Sequence, residues 1–300
     1  MASADSQPLR VFTTARAGSG EQPSLAHLEA LSQKTAVQAL LYCGLYDPHL
    51  TAWHSGASSK EEIKQQLVSH EDKVLSQLRH EHCTACTCSQ QVVEWRHPVS
   101  EGIVENAAAF NADLVLLPAS RMLPGLDYKD WDILTRAEAP VLVCNTTGYR
   151  AYKKILVAVD PTHAHGKAID ADQRLLSEAN FIGQLFGSEI HVVHAYPSVR
   201  TYVTPDLLVP QEMINSWAAE AKQAVNELVE DQGIHSVHMI DEHPRKAILD
   251  TARKIDADLI VMGATSRSLI PDLIIGHTAE HVINHSEIDV LTINATRSTQ

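Results

Sequence analysis

The apolar residues of this chain alternate between short continuous runs and stretches in which they recur every three or four positions. Continuous runs are typical of strands buried on both faces of a parallel sheet, and periodic stretches are typical of amphipathic helices. We predict strands over residues 9–14, 37–45, 91–95, 112–117, 141–144, 155–159, 190–195, 257–262 and 290–293. We predict helices over residues 25–35, 60–82, 100–110, 174–186, 211–231 and 245–255.

One order of elements occurs in both halves of the chain. In each half a strand leads to a His-Pro pair, His97-Pro98 or His243-Pro244, which opens a helical pattern before the apolar run after Ala112 or Ala257. The strand before His243 is the fifth of the second half. Strands that alternate with helices predict right-handed crossovers and a parallel sheet. The pattern therefore predicts an α/β protein with two tandem open parallel five-stranded sheets and helices on both faces. We place the domains at residues 1–148 and 149–300, because the intervening connector is polar and turn-rich.

The longest predicted helix of the second half carries a stripe of apolar residues. This spacing favours a face directed at the core over any role in binding a cofactor. The stripe consists of Met213, Trp217, Ala221, Ala224 and Leu228.

The composition argues against two classes of partner. With 37 acidic and 24 basic residues, the formal net charge of −13 opposes binding to nucleic acids and to anionic membranes. The chain has no apolar run near the roughly 20 residues that a membrane-spanning helix needs, and its first residues lack the apolar core of a signal peptide. These features predict a cytoplasmic protein without membrane insertion.

Two glycine-containing turns in the second half have the chemistry of a phosphate site. Gly263 follows an apolar strand and begins the stretch that includes Thr265, Ser266 and Arg267, and Gly276 opens a helical segment before the last strand. Glycine lets backbone N–H groups approach a phosphate, and a helix N-terminus adds the positive end of its dipole.

These residues resemble the pattern of the universal stress protein family, which is Gly, two residues, Gly, nine residues, Gly, then Ser or Thr. Gly263 and Gly276 match this pattern, whereas Ser266 replaces the second glycine and His277 replaces the Ser or Thr. A Cβ at Ser266 narrows the approach to a phosphate, although the hydroxyl can donate a hydrogen bond to it. The resemblance extends over both halves and implies a Rossmann-like fold of the adenine nucleotide alpha hydrolase type.

The resemblance also implies an ATP or other adenine-nucleotide site in the second half. Asp160 and Pro161 at the end of the first strand would contact the adenine or ribose end. Thr278 would be a further hydrogen-bond donor, and Arg267 would supply positive charge to the phosphates. The alternative from the residues themselves is that these glycines only make tight turns.

The first half has lost the phosphate pattern. The segment that corresponds to Gly263 reads Leu117-Pro118-Ala119-Ser120-Arg121, and proline has no N–H group to offer a phosphate. We therefore expect one nucleotide site in the chain, with the first half as a structural partner.

A cluster of cysteines and histidines precedes the third strand of the first half. Cys83, Cys86 and Cys88 with His82 or His80 would provide a sulfur-rich tetrahedral set for zinc. Solvent-facing thiols without a metal are the alternative, since strong zinc modules have two separated ligand pairs.

Several other residues have simpler interpretations. Cys43 and Cys144 lie inside apolar strands and are predicted to be buried core residues. His191 and His194 alternate with valines, a pattern typical of packed or hydrogen-bonded side chains rather than ligands.

The sequence contains none of the common catalytic motifs, so it favours a binding protein over a dedicated enzyme. Slow ATP hydrolysis near Asp160 and His277 is a weaker hypothesis. A different class is a nucleotide-independent scaffold or carrier, in which residues 199–213 help to bind a hydrophobic metabolite or a partner protein.

The family resemblance also implies pairing through the last strand of each half, either as an internal pseudo-dimer or in a homodimer.

Overall fold

The computed structural model describes residues 7–15, 22–52, 57–119, 128–145, 151–162, 171–196, 211–264 and 275–294. The chain forms two compact units, residues 1–120 with 126–149 and residues 150–300 with 121–125. The predicted boundary between residues 148 and 149 lies outside the described residues and stays a prediction. No helix in the described ranges is long and apolar enough to cross a membrane.

The first unit is an open sheet of five parallel strands in the order β3-β2-β1-β4-β5. Helices connect successive strands, as parallel pairing requires. Its elements are β1 Leu9–Thr14, α1 Pro23–Ser32, β2 Val37–Leu45, α2 Pro48–Ala52, α3 Ala57–His82, β3 Cys88–Trp95, α4 Val99–Ala109, β4 Leu114–Pro118, α5 Tyr128–Arg136 and β5 Val141–Cys144.

The second unit has the same arrangement, with the strand order β10-β9-β6-β7-β8. The predicted fold class, an open parallel α/β sheet with helices on both faces, is confirmed. Its elements are β6 Lys154–Ala158, α6 Ala171–Phe186, β7 Glu189–Ala195, α7 Gln211–Val229, β8 Ser236–Ile240, α8 Pro244–Ile255, β9 Leu259–Gly263, α9 His277–His285 and β10 Asp289–Ile293.

Buried strands form the core of each unit, and their burial explains the continuous apolar runs. All four residues of β5 and all five of β10 are buried, and Cys43 and Cys144 are buried as predicted. Parallel strands covered by helices have no solvent-facing side, so each position favours an apolar or small side chain.

An aspartate that precedes the fourth strand makes equivalent contacts in both units. Asp113 accepts a hydrogen bond from the N–H of Arg10 at 2.8 Å, and its own N–H donates to the Arg10 carbonyl at 2.8 Å. Asp258 accepts from the N–H groups of Lys153 and Lys154 at 2.8 and 3.0 Å. Each carboxylate therefore satisfies backbone donors at the start of the unit's first strand.

The structure corrects the predicted stripe on α7. Ala221 is buried, whereas Met213 and Trp217 near the start of the helix are 46% and 45% exposed. The buried face comprises Ala221 and Val225, one helical turn apart. Periodicity identified the apolar face of this helix but not the length over which it is covered.

A hydrogen-bonded group connects β2, β3 and α4 in the first unit. The buried Tyr42 hydroxyl donates to Glu94 Oε1 at 2.7 Å, and Asn106 Nδ2 donates to the same oxygen at 3.3 Å. Burial and the bond to Glu94 raise the pKa of Tyr42, so it stays a neutral donor. Gly102 on α4 lies against this group, where a side chain would overlap the Tyr42 hydroxyl and come within 2.6 Å of Glu94 Oε1.

We predict that Gly102→Ala lowers the free energy of unfolding by about 1–3 kcal/mol, because the new methyl group displaces Tyr42 or Glu94. Urea unfolding followed by circular dichroism measures the change. Ala108→Ser, at an exposed position on the same helix, is the matched control and should change stability by no more than about 0.5 kcal/mol. Equal stability of Gly102→Ala and the natural chain would contradict this account of the glycine.

Candidate functional site

The candidate nucleotide site lies where the strand order of the second unit reverses. β6 pairs with β7 on one side and with β9 on the other, and Val157 is in register with Val261. Since both pairings are parallel, the chain leaves β6 and β9 at the same edge of the sheet. Ligands of open α/β sheets bind at such a switch point, outside the carboxyl ends of the strands.

Backbone hydrogen bonds bring the two predicted glycine turns together at this edge. Gly263 ends β9, and the next residue, Ala264, donates its N–H to the carbonyl of Ile293 at 3.0 Å. The carbonyl of Ala264 accepts a hydrogen bond of 3.1 Å from the N–H of Gly276. Gly263 and Gly276 are distant in sequence but flank one hydrogen-bonded junction.

Gly276 is the N-cap of α9, and no side chain in the described part of the chain caps this helix end. The first bond within the helix runs from the N–H of Glu280 to the carbonyl of Gly276 at 2.9 Å. The N–H groups of His277, Thr278 and Ala279 therefore have no acceptor within the helix, which is the arrangement that favours an anion.

The side chain of His277 points into solvent rather than into the protein. It is 82% exposed, and its Nδ1 lies 3.8 Å from Glu280 Oε2. The histidine that replaces the family's Ser or Thr is thus accessible, whereas the carboxylate beside it opposes an anion at this helix end.

Asp160 lies two residues beyond β6 and is held in a defined position. Its N–H donates to both carboxylate oxygens of the buried Asp172 on α6 at 3.3 Å, and Thr162 Oγ1 donates to Asp160 Oδ1 at 2.9 Å. Pro161 follows in a partly buried turn. The side chain predicted to contact the nucleotide is therefore held just beyond the end of β6, the strand that pairs with β9.

The structure adds a basic residue that sequence reasoning missed. Arg174 on α6 donates from Nη1 to the carbonyl of Asn294 at 3.3 Å, and Asn294 directly follows β10. The guanidinium therefore lies at the carboxyl edge of the strands that carry the glycine turns. Its position within an amphipathic helix gave no local signal, since only the tertiary fold brings that turn to the edge.

Three predicted site residues, Thr265, Ser266 and Arg267, lie outside the described residues. Their assignment to phosphate contacts stays a prediction.

In the first unit the junction is similar but lacks the glycine. Pro118 ends β4, and the N–H of Ala119 donates to the carbonyl of Cys144 at 3.1 Å, the counterpart of the bond from Ala264 to Ile293. A proline ring at the place of Gly263 adds bulk and removes a donor.

The cysteine cluster is only partly assembled among the described residues. Cys83 and Cys86 form a tight turn in which the N–H of Cys86 donates to the carbonyl of Cys83 at 3.1 Å, and both are free thiols. His82 Nδ1 lies instead 3.6 Å from Glu29 Oε2. The side chain of Cys88 lies outside the described part, so the zinc set of Cys83, Cys86, Cys88 and His82 stays a prediction.

The two thiols differ in acidity. The hydrogen bond from Cys83 lowers the pKa of the Cys86 thiol, and a bond from Ser32 acts in the same direction. The same contact with Cys86, together with burial, raises the pKa of Cys83. Cys86 is also the more accessible of the two thiols, since Cys83 is buried, so we expect Cys86 to react first.

The family model and the relatives that this chain matches all come from one protein family. Residues 151–294 match the model of the universal stress protein family. The Universal stress protein E homolog of Haemophilus influenzae is 24% identical over 289 residues, which covers 90% of this chain and 91% of the relative. Universal stress protein E of Escherichia coli K12 is 24% identical over 284 residues, with 91% and 90% covered.

A solved structure shares the fold over both units. The crystal structure of a universal stress protein from Archaeoglobus fulgidus has a TM-score of 0.65 and 19% identity, covering 97% of this chain and 100% of the other.

We predict that iodoacetamide modifies Cys86 faster than Cys83 at pH 7, and that Cys83→Ala slows the reaction of Cys86 by removing the donor that lowers its pKa. Peptide mapping by mass spectrometry measures both rates. Ala85→Ser, in the same turn, is the control and should leave both rates unchanged.

If the predicted zinc is bound by the cysteine cluster, both thiols stay protected from iodoacetamide until a chelator is added. An absence of zinc from freshly purified, untagged protein in elemental analysis would contradict that site.

Proposed function

Because this chain belongs to the universal stress protein family, we propose that it acts in the response to stress through a second unit that binds an adenine nucleotide. ATP is the first choice of ligand, and the first unit acts as the structural partner of the second. The site is the carboxyl edge of β6 and β9 in the second unit.

The observation that carries this proposal is the space beside Gly263. A Cβ built on this residue would meet, among the described atoms, only the carbonyl oxygen of Ile293 at 4.0 Å. Packing among the described residues therefore does not require a glycine here. A glycine at the end of a switch-point strand is instead suited to a ligand that approaches the backbone closely, as a phosphate does.

The surrounding groups form two sets, one for the phosphates of the ligand and one for its ribose or adenine end. The N–H groups that begin α9 and the Arg174 guanidinium would hold the phosphates, by dipole and by charge. Asp160, held by Asp172 of α6, would accept hydrogen bonds from the ribose or adenine end. These residues bind and orient the nucleotide, and no step of bond breaking is assigned to them.

The last strands support a proposed mode of assembly. β5 ends the strand order of the first unit, and β10 ends that of the second. Pairing through these strands, in an internal pseudo-dimer or a homodimer, stays part of the proposal.

We predict that Gly263→Ala weakens ATP binding at least about tenfold, equivalent to about 1.4 kcal/mol, because the methyl group occupies the approach to the phosphate. Isothermal titration of the full chain measures the affinity. Since the fold leaves room for this methyl group, the free energy of unfolding should change by less than about 1 kcal/mol.

Pro118→Ala changes the corresponding residue of the first unit and is the matched control, with ATP affinity expected to stay as in the natural chain. The proposal fails if the natural chain binds neither ATP nor ADP. It fails equally if neither Gly263→Ala nor Gly276→Ala alters the affinity.

A second candidate function is supported by the exposed apolar residues of α7. Met213 and Trp217 are about half exposed and lie one turn apart at the start of the helix. Exposed apolar pairs of this kind occur where a partner protein or a hydrophobic metabolite binds. Residues 199–210, which were predicted to help to form such a surface, lie outside the described residues.

This carrier function predicts that Trp217→Ser abolishes the retention of an apolar ligand without changing ATP affinity. Mass spectrometry of small molecules released from purified natural and variant protein tests it. Phe181→Ser, at another exposed apolar position, is the control. A released nucleotide with no apolar molecule would support the first function and exclude the carrier.

A further inference from the structure

Three potential metal ligands converge at the amino ends of β7 and β8 in the second unit. Glu189 is the first residue of β7, His191 is on the same face two residues later, and His235 immediately precedes β8. Glu189 Oε2 lies 3.7 Å from His191 Nε2 and 4.0 Å from His235 Nε2. The ligand atoms of all three residues lie within 4.8 Å of one another.

His191 carries the evidence that this group is more than a cluster of surface charges. Its side chain is only 8% exposed, and its Nε2 has no hydrogen-bond partner in the described part of the chain. A buried polar atom left without a partner costs about 1–3 kcal/mol, so such atoms are rare in native proteins unless a ligand or ion engages them. The unpartnered nitrogen faces the carboxylate and the second imidazole.

A fourth histidine supports the orientation of His191. His238 lies on β8, and its Nε2 is 3.3 Å from His191 Nδ1, with the two rings stacked. When His191 Nδ1 donates this hydrogen bond, its Nε2 carries the lone pair that a metal requires. Histidines that bind metals usually donate their other ring N–H in this way, and the acceptor fixes the tautomer and the ring orientation.

We propose that Glu189, His191 and His235 form a binding site for a divalent transition metal ion, with zinc as the first choice. Two imidazoles and one carboxylate are a ligand set that binds zinc, with the fourth position open to water. Ligand atoms about 2.0–2.1 Å from a tetrahedral ion are about 3.4 Å apart, close to the observed distances. Glu189 and His235 are about half exposed, so their rotation can shorten the remaining gap.

The site is separate from the two described above. It lies at the amino ends of the strands, whereas Gly263 and Asp160 lie at the carboxyl ends. It contains no cysteine and belongs to the second unit, whereas Cys83 and Cys86 belong to the first. The ion would cross-link the start of β7 to the start of β8, which ends the strand order of this unit. Sequence patterns predicted His191 to be packed or hydrogen-bonded rather than a ligand. Its burial and its contact with His238 confirm the first part, and the proposed role as a ligand departs from the second.

The test uses zinc chloride and the full chain freed of metal by a chelator. Isothermal titration of the natural protein should show a zinc site that weakens at least about 100-fold in Glu189→Gln and in His235→Ala. Both residues are exposed enough for these variants to fold. His70→Ala removes an exposed histidine from α3 and is the matched control, with affinity expected to be unchanged.

Cobalt distinguishes this site from the cysteine cluster. A cobalt ion on two imidazoles and a carboxylate absorbs in the visible region without the near-ultraviolet charge-transfer band of a thiolate ligand. The visible absorption of cobalt at this site should disappear in Glu189→Gln and persist in Cys83→Ala. Zinc should raise the thermal unfolding midpoint of the natural protein and of His70→Ala, but not of Glu189→Gln or His235→Ala.

Three results would overturn the proposal. The first is a natural chain that binds no zinc. The second is equal zinc affinity in Glu189→Gln, His235→Ala and His70→Ala. The third is a cobalt spectrum with thiolate character that Cys83→Ala alone removes. A weakening of about 10–100-fold in His238→Ala, with the three ligands intact, would support the positioning role of that residue.

Discussion

The parallel pairing of β6 with β7 on one side and with β9 on the other is the constraint on which the second unit depends. It places every carboxyl end of this sheet at one edge and every amino end at the other. The first edge receives the turns after β6 and β9, where backbone N–H groups are available. The second receives the starts of β7 and β8, where side chains from separate crossovers meet. The candidate nucleotide site and the proposed metal site therefore lie at opposite ends of the strands.

Much of the fold could be predicted from the sequence, because buried parallel strands leave continuous apolar runs. The bounds of β1, β2 and β5 agree with the predicted ones to the residue. Helix starts agree less well, as at α3 and α6, since first-turn residues are polar and carry little periodicity. The stripe on α7 failed at Met213 and Trp217, because a helical repeat does not specify how much of the helix the sheet covers.

The candidate sites divide in a similar way. Gly263 and Gly276 could be identified from sequence, since a short motif encodes turns that are local. Arg174 could not, because only the tertiary fold carries it to the end of β10. The convergence of His191 and His235 depends on the register of β7 and β8, in which His191 is opposite Ser236. No spacing along the chain reports such a register, so the histidines look like ordinary strand residues until the strands are paired.

The hydrogen bond between Ala264 and Gly276 has a further consequence for how this protein can change in evolution. It joins the residue after β9 to the N-cap of α9 through backbone atoms alone, so the contact does not depend on which side chains these two residues carry. Substitutions between the two positions can therefore accumulate while the strand and the helix keep this contact. Ligand preference can diverge among descendants of this chain at little expense to folding.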